Sequence, residues 1–305
     1  MKRKLILSSI AAIILGLAAC KSTETMSVEH NDQIVVIPKL PQRIVVMNYG
    51  ALDTLDALGK RDLVVGTSLT AIPHYLTQYN NAHVINTGNM KEPNLDLIKN
   101  QHPDLIIIGG RQAKRLDQLS QIAPVINLET NPANYVESTK SNITLLGQIT
   151  GTQDIARKSI QALEAHIQQA QQIAQASHKN AIVALHNDGK VILTNAGARP
   201  ALIYDVLKIK RAIPSSKHVS NFTEKPTMIL IDNDYIATHK PNIIFIVDRS
   251  QAIGQKALDT NHFDNNILAK AGTKIVYLTA DLWYLSGGGI ESLTQQINEV
   301  IEQLK

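Results

Sequence analysis

Apolar residues in this chain come in two alternating textures. Short, largely apolar runs at 34–37, 43–47, 63–66, 105–108, 181–185, 191–194, 243–247 and 275–278 read as strands, several of them buried on both faces. Between them lie stretches with helical spacing. One spans 51–58 and is closed by Gly59; another spans 291–304, with Leu293, Ile297, Val300 and Leu304 on one face. Strand, glycine, helix and strand in succession predict parallel, doubly wound sheets. Ligands of such sheets sit beyond the carboxyl ends of strands. Tyr49 and Gly50, just past the 43–47 run, are therefore candidates for the lip of a site.

The longest periodic stretch, 152–177, contains neither glycine nor proline. Thr152 is placed to cap it, and Asp154 sits in the first turn, where a carboxylate meets the positive end of the helix dipole. Ala156, Ile160, Leu163, Ile167, Ala170 and Ala174 form one apolar stripe. At 1.5 Å per residue the helix is roughly 40 Å long, about the width of two small lobes. The expected organisation is two α/β lobes, 34–151 and 179–305, joined by a rigid helix over 152–178. The plainer alternative is an internal helix of one large domain.

An internal echo supports two lobes. The segment 102–111 (HPDLIIIGGR) matches 240–249 (KPNIIFIVDR), each with a proline, an apolar strand and then an arginine eight residues after the proline. A weaker echo links Leu55-Asp56-Ala57-Leu58 with Tyr204-Asp205-Val206-Leu207.

The N-terminus stands apart from this pattern. Lys2, Arg3 and Lys4 precede an apolar run at 5–17 and then Leu17-Ala18-Ala19-Cys20. A basic region, a short apolar region and small residues describe an export signal over 1–19, too short to span a membrane. The tetrapeptide resembles a bacterial lipobox, which makes Cys20, the only cysteine, the candidate site of lipid attachment. The polar stretch 20–33 then reads as a flexible, lipid-anchored tether. Without Lys2, Arg3 and Lys4 the formal charge of +4 falls to +1, and no basic, aromatic-interleaved stripe suggests nucleic acid.

Three arginines, Arg111, Arg199 and Arg249, fall at expected strand-to-helix lips, where planar donors of fixed charge suit an anionic ligand. Gly287-Gly288-Gly289, ahead of the last helix, offers backbone N–H groups that could cradle an anion, although such glycines more often make a turn. The ten histidines form no HxxxH or HxH pair, and no GxSxG, Walker or dinucleotide-binding glycine motif occurs. No nucleophile–base set is evident, so the chain gives no positive sign of catalysis.

Several segments together resemble the lipoprotein substrate-binding components of iron–siderophore ABC importers. The likeness is to the catecholate branch, with its enterochelin-, petrobactin- and anguibactin-type binding proteins. The segments are Pro41-Gln42-Arg43-Ile44-Val45-Val46, Glu92-Pro93-Asn94-Leu95-Asp96-Leu97-Ile98, Gly110-Arg111-Gln112, Ile203-Tyr204-Asp205-Val206-Leu207, Val247-Asp248-Arg249 and Trp283-Tyr284-Leu285-Ser286-Gly287. The resemblance implies a class III periplasmic-binding-protein fold that clasps a ferric siderophore between two lobes, with no intrinsic cofactor and no enzymatic activity. It implies Arg111, Arg199 and Arg249 around the chelate and Tyr284 against the iron; Trp283, the neighbour of Tyr284, and Tyr49, at the strand lip, are expected to bind the siderophore with them. Tyr204 stands where petrobactin-type relatives are expected to carry an iron-ligating histidine. Tyr284 and Tyr204 are thus the candidate iron(III) ligands for any siderophore that is not hexadentate. Glu92 and, less closely, Asp234 match carboxylates that dock onto an inner-membrane permease. A monomer at the periplasmic face of a bacterial membrane, or at the surface of a cell with one membrane, is expected. The rival reading is a carrier of another bulky cargo, such as haem or a corrinoid.

Overall fold

The computed structural model describes residues 24–30, 33–194, 196–213 and 228–305. The export signal over 1–19 and Cys20 lie outside the described residues. Part of the stretch expected to be a flexible tether is ordered: β1 (Thr25–His30) pairs antiparallel with β2 (Gln33–Pro38). The reason lies in a period of two hidden by polar composition. Met26 and Val28 alternate with Thr25, Ser27 and Glu29, and Val28 is buried while Met26 packs against the core.

Two five-stranded sheets form among the described residues, one on each side of the long helix in sequence. The first contains β3 (Ile44–Val46), β4 (Val64–Thr67), β5 (Ile85–Asn86), β6 (Leu105–Ile108) and β7 (Val125–Asn127), all parallel, in the order β5-β4-β3-β6-β7. Its helices are α1 (Tyr49–Ala57), α2 (Leu95–Lys99), α3 (Leu116–Ser120) and α4 (Tyr135–Thr150). The long helix α5 (Gln153–Ser177) follows. Thr152 does not cap it with its side chain; the hydroxyl bonds that of Thr150 at 2.9 Å instead.

The second sheet contains β8 (Asn180–Asn187), β9 (Lys190–Leu193), β10 (Lys210–Arg211), β11 (Ile243–Asp248) and β12 (Lys274–Leu278). Its path is β10-β8-β11-β12, parallel throughout, with β9 antiparallel on β8. Along the chain come α6 (Ala198–Pro200), running on into a π-helical turn at Ala201–Val206, then α7 (Asn233–His239), α8 (Arg249–Ala252), α9 (Asn265–Ala271), α10 (Ala280–Tyr284) and α11 (Ile290–Glu302).

The paths β4-β3-β6-β7 and β10-β8-β11-β12 repeat one topology, with the first strand of each set lying between the second and the third. The echo at 102–111 and 240–249 therefore falls on equivalent strands, β6 and β11. Even the odd backbone repeats: His102 and Lys240, each just before its proline, have φ of 45° and 43°. Lys240 is the left-handed cap of α7, His102 follows α2 by three residues, and the proline after each keeps the chain from turning on as helix.

On α5 the expected stripe faces inward. Ala156, Leu163, Ile167, Ala170 and Ala174 are buried, and Ile160 packs at the margin. Burying a leucine or isoleucine of this kind contributes about 2 kcal/mol. The helix packs on α4 and α11, and the same apolar cluster runs on to Phe245 and Val247 of the second sheet. Among the described residues no helix is long and apolar enough to cross a membrane.

Candidate functional site

The carboxyl ends of the two sheets border a cavity of about 600 Å³. Tyr49, Ser68, Met90, Lys91 and Arg111 line it from the first lobe, and Arg249, Gln251 and Tyr284 from the second. Arg111 follows β6 in a tight turn, Arg249 opens α8 directly after β11, Arg199 lies in α6, and Tyr284 ends α10.

These three arginines, far apart in sequence, converge on one side chain. Their guanidinium carbons lie 5.7 Å (Arg111), 5.1 Å (Arg199) and 5.7 Å (Arg249) from the centre of the Tyr284 ring. Arg111 donates to the Tyr284 carbonyl at 2.7 Å. Arg199 donates to the carbonyls of Trp283 at 2.6 Å and Tyr284 at 3.1 Å. Arg249 donates from Nε to the Tyr284 hydroxyl oxygen at 2.9 Å and from Nη1 to Asn187 Oδ1 at 2.5 Å.

Among the described residues none of the three pairs with a carboxylate. Burial pulls the Arg199 guanidinium down from its ordinary value, and the Arg111 charge adds to that pull. An arginine keeps its proton under such pressure, so the cluster presents positive charge that only carbonyl and phenol oxygens offset. Such a cluster can receive an anion with flat faces.

The other sequence candidates fall in different places. Tyr49 is buried under the cleft and donates its hydroxyl to the Ser68 carbonyl at 2.8 Å; burial pushes its pKa up to about 12. Trp283 is not a cleft-facing ring. It is buried, its indole N–H donates to Glu299 Oε2 at 2.6 Å, and it serves the site through its backbone carbonyl.

The structure does not bring Tyr204 to the cluster either. Its hydroxyl accepts from the Val183 N–H at 2.9 Å and donates to the Ala181 carbonyl at 3.2 Å. Those residues lie in the first half of β8, about 13 to 20 Å of strand from its cleft end at Asn187. Arg211 covers the Tyr204 ring at 3.9 Å, and burial pushes the phenol up to about 12. Tyr204 ties the π-helical turn at Ala201–Val206 to the backbone of β8. Among the described residues no group of three or more His, Cys, Asp or Glu side chains is arranged to hold a metal ion.

The glycine run before α11 does not itself cradle an anion; the first turn of α11, just past it, receives the side chain of Asp53 of α1. Its carboxylate accepts from the N–H groups of Glu291 at 2.8 Å and Ser292 at 2.7 Å. A Cβ on Gly289 would lie 2.3 Å from Asp53 Oδ2, and one on Gly50 would lie 2.4 Å from the Gly287 carbonyl. Only glycines allow this approach. Burial raises Asp53 to about 7, against the lowering by its donors at Ser292 and Glu291. A second link between the lobes is exposed. His74 Nδ1 lies 3.0 Å from Asp281 Oδ2, and the His74 N–H donates to the same oxygen at 2.7 Å. Beside it the hydroxyls of Tyr75 and Ser286 bond each other.

Glu92 and Asp234 are exposed carboxylates, one in each half of the chain; Glu92 approaches Arg115 only at 3.9 Å. Reading the strands alone missed Lys91, which follows the two-residue β5, too short a run to register. Asp53 carried a signal that went unused, a lone carboxylate inside the buried run Leu52-Asp53-Thr54-Leu55.

Comparison with known proteins agrees with this architecture. Residues 44–282 match the sequence profile of the family described as Periplasmic binding protein. The petrobactin-binding protein YclQ of Bacillus subtilis is 32% identical over 99% of this chain and 98% of its own length. Its crystal structure superposes with a TM-score of 0.83 at 33% identity, over 92% of this chain and 99% of that one. The ferric-anguibactin-binding protein FatB of Vibrio anguillarum is 27% identical over 90% of this chain and 86% of its own. The periplasmic catecholate-siderophore-binding protein VctP of Vibrio cholerae is 28% identical, with a TM-score of 0.78 over 92% of this chain and all of that one. With two repeated parallel sheets, a long helix between them and an arginine-lined cleft at their carboxyl edges, this chain belongs to the periplasmic binding protein family.

Proposed function

We propose that the cleft binds an iron(III)–siderophore complex of the catecholate or mixed-catecholate type and hands it to the permease of an ABC importer. The observation that carries this reading is the convergence of Arg111, Arg199 and Arg249 on Tyr284 with no carboxylate partner among the described residues. Iron(III) held by catecholates is anionic and flat-faced, which suits planar guanidinium donors. Relatives of this chain are named for binding petrobactin, ferric anguibactin and catecholate siderophores.

Tyr284 is the candidate iron ligand. Its oxygen already accepts from Arg249, and iron(III) prefers hard oxygen ligands. It coordinates where the chelate leaves a position open and otherwise stacks on a catechol ring. Cys20 carries the lipid that holds the protein at the periplasmic face of the membrane, and Glu92 and Asp234 are the carboxylates offered to the permease.

Trp283, the only tryptophan, is one residue from Tyr284, and its fluorescence is the readout. A ferric bis-catecholamide should quench it saturably, and neither the iron-free ligand nor free iron should do so. Tighter, saturable quenching by haem or a corrinoid would replace this reading. No saturable response to any ferric catecholate would overturn it.

A further inference from the structure

Three consecutive residues where β8 runs into its turn meet three consecutive residues where β11 passes into α8, in register. His186 Nδ1 lies 2.7 Å from Asp248 Oδ1, Asn187 Oδ1 accepts from Arg249 Nη1 at 2.5 Å, and the Asp188 N–H donates to Ser250 Oγ at 2.9 Å. The first of these pairs is almost fully buried. Its proton position is fixed by a second bond. The Gly189 N–H donates to His186 Nε2 at 3.0 Å, so Nε2 is the acceptor and the ring proton sits on Nδ1, facing Asp248.

Asp248 is fully engaged as well. Oδ1 also accepts from the Gln251 N–H at 2.9 Å, which caps α8, and Oδ2 accepts from the Leu258 N–H at 2.7 Å. The histidine ring thus ties the tight Asp188-Gly189 turn, both residues at positive φ, to the helix that carries Arg249. Asn187, between these two ties, has its side-chain oxygen held at one end of the Arg249 guanidinium while Tyr284 holds the other.

We propose that His186 and Asp248 are positioning residues for the cleft. Acting through Asn187, they hold the Arg249 guanidinium in its ligand-facing orientation before any ligand arrives. A long arginine side chain otherwise keeps rotamer freedom that binding must remove, and a preset one binds without that loss. Arg111, exposed and held by one carbonyl across the cleft, has no such brace. The proposal rests on the reading of the cleft as the site for an anionic ferric chelate.

Two measurements test it, one without ligand. In the ligand-free protein the Arg249 Nε–H should give a slowly exchanging NMR signal. That signal should lose its protection in His186→Leu and in Asn187→Ala, while the Arg199 signal keeps it. With the ferric bis-catecholamide as probe, each variant should lose about tenfold in affinity, within the coupling expected inside one hydrogen-bond network. Neither substitution should cost anything further in an Arg249→Ala background. Asn187→Ala, at a half-buried turn position, carries the test alone if His186→Leu does not fold. Unchanged Arg249 protection, or affinity losses that simply add to that of Arg249→Ala, would overturn the proposal. If Arg249→Ala itself binds the probe as wild type does, the reading of the cleft falls, and the NMR result still decides the positioning.

Discussion

Arg111 and Arg249 occupy equivalent positions in the two lobes, each eight residues after a proline and just beyond the carboxyl end of a parallel strand. Their surroundings differ. Arg249 is part-buried, with a donor committed to Asn187 of its own lobe and another to the Tyr284 hydroxyl. Arg111 is exposed, and its side chain reaches across the cleft to a single backbone carbonyl. The sequence after each strand explains the contrast. Asp248 caps α8 and anchors the His186 ring, whereas Gly109 and Gly110 bring no side chain to that duty. One repeated motif has produced a preset half of the site and an adaptable half.

The largest effect expected from that difference is in affinity for the ferric bis-catecholamide. Arg249→Ala should cost about 2–5 kcal/mol, roughly 30-fold to several thousand-fold, mostly through faster dissociation. Arg249→Lys should be nearly as damaging, because an ammonium cannot bridge Asn187 and the Tyr284 phenol as a fork does. Arg111→Ala should cost about tenfold and Arg111→Lys little, as for a rim charge that acts mainly on association. Equal losses at the two arginines, measured by titration, would dissolve the contrast between preset and adaptable halves.

The same contrast of buried and exposed separates two of the links between the lobes, at Asp53 and at His74. Asp53→Ala leaves the Glu291 and Ser292 N–H groups buried without a partner and should lower stability by about 3 kcal/mol in urea unfolding. The pH dependence has a definite sign. Because burial raises Asp53 from 3.8 to about 7, its contribution is complete below the lower value and is lost as pH rises through the upper one. Asp53→Asn should flatten the stability profile over that window, and an unchanged slope would contradict the assignment.

The smallest effect belongs to His74 and Asp281. Burial works to raise the Asp281 carboxyl, but the His74 N–H, ring and charge outweigh it and hold the group below the usual carboxylate range. Its contribution is therefore present above the ordinary carboxylate pKa and is lost as pH falls through the lowered value. An exposed pair of this kind contributes less than about 1 kcal/mol. Asp281→Asn should change urea midpoints slightly at neutral pH and not at all in strong acid.

Much of this molecule is written in local pattern. The parallel strands, the 25-residue inter-lobe helix with its buried stripe, the repeat of 102–111 in 240–249 and the three arginine lips all follow from periodicity and from proline, glycine and charge at fixed offsets. These features depend on spacing along one element, which a sequence records directly. What tertiary structure alone decided is where side chains go once elements distant in sequence meet. It turned Trp283 into the core and sent the Tyr204 phenol to the β8 backbone. It set Asp53 on the first turn of α11, and it made a buried histidine the brace for an arginine 63 residues away. A residue type states which bonds a group can make; the partner that reaches it first in the folded chain decides which one it makes.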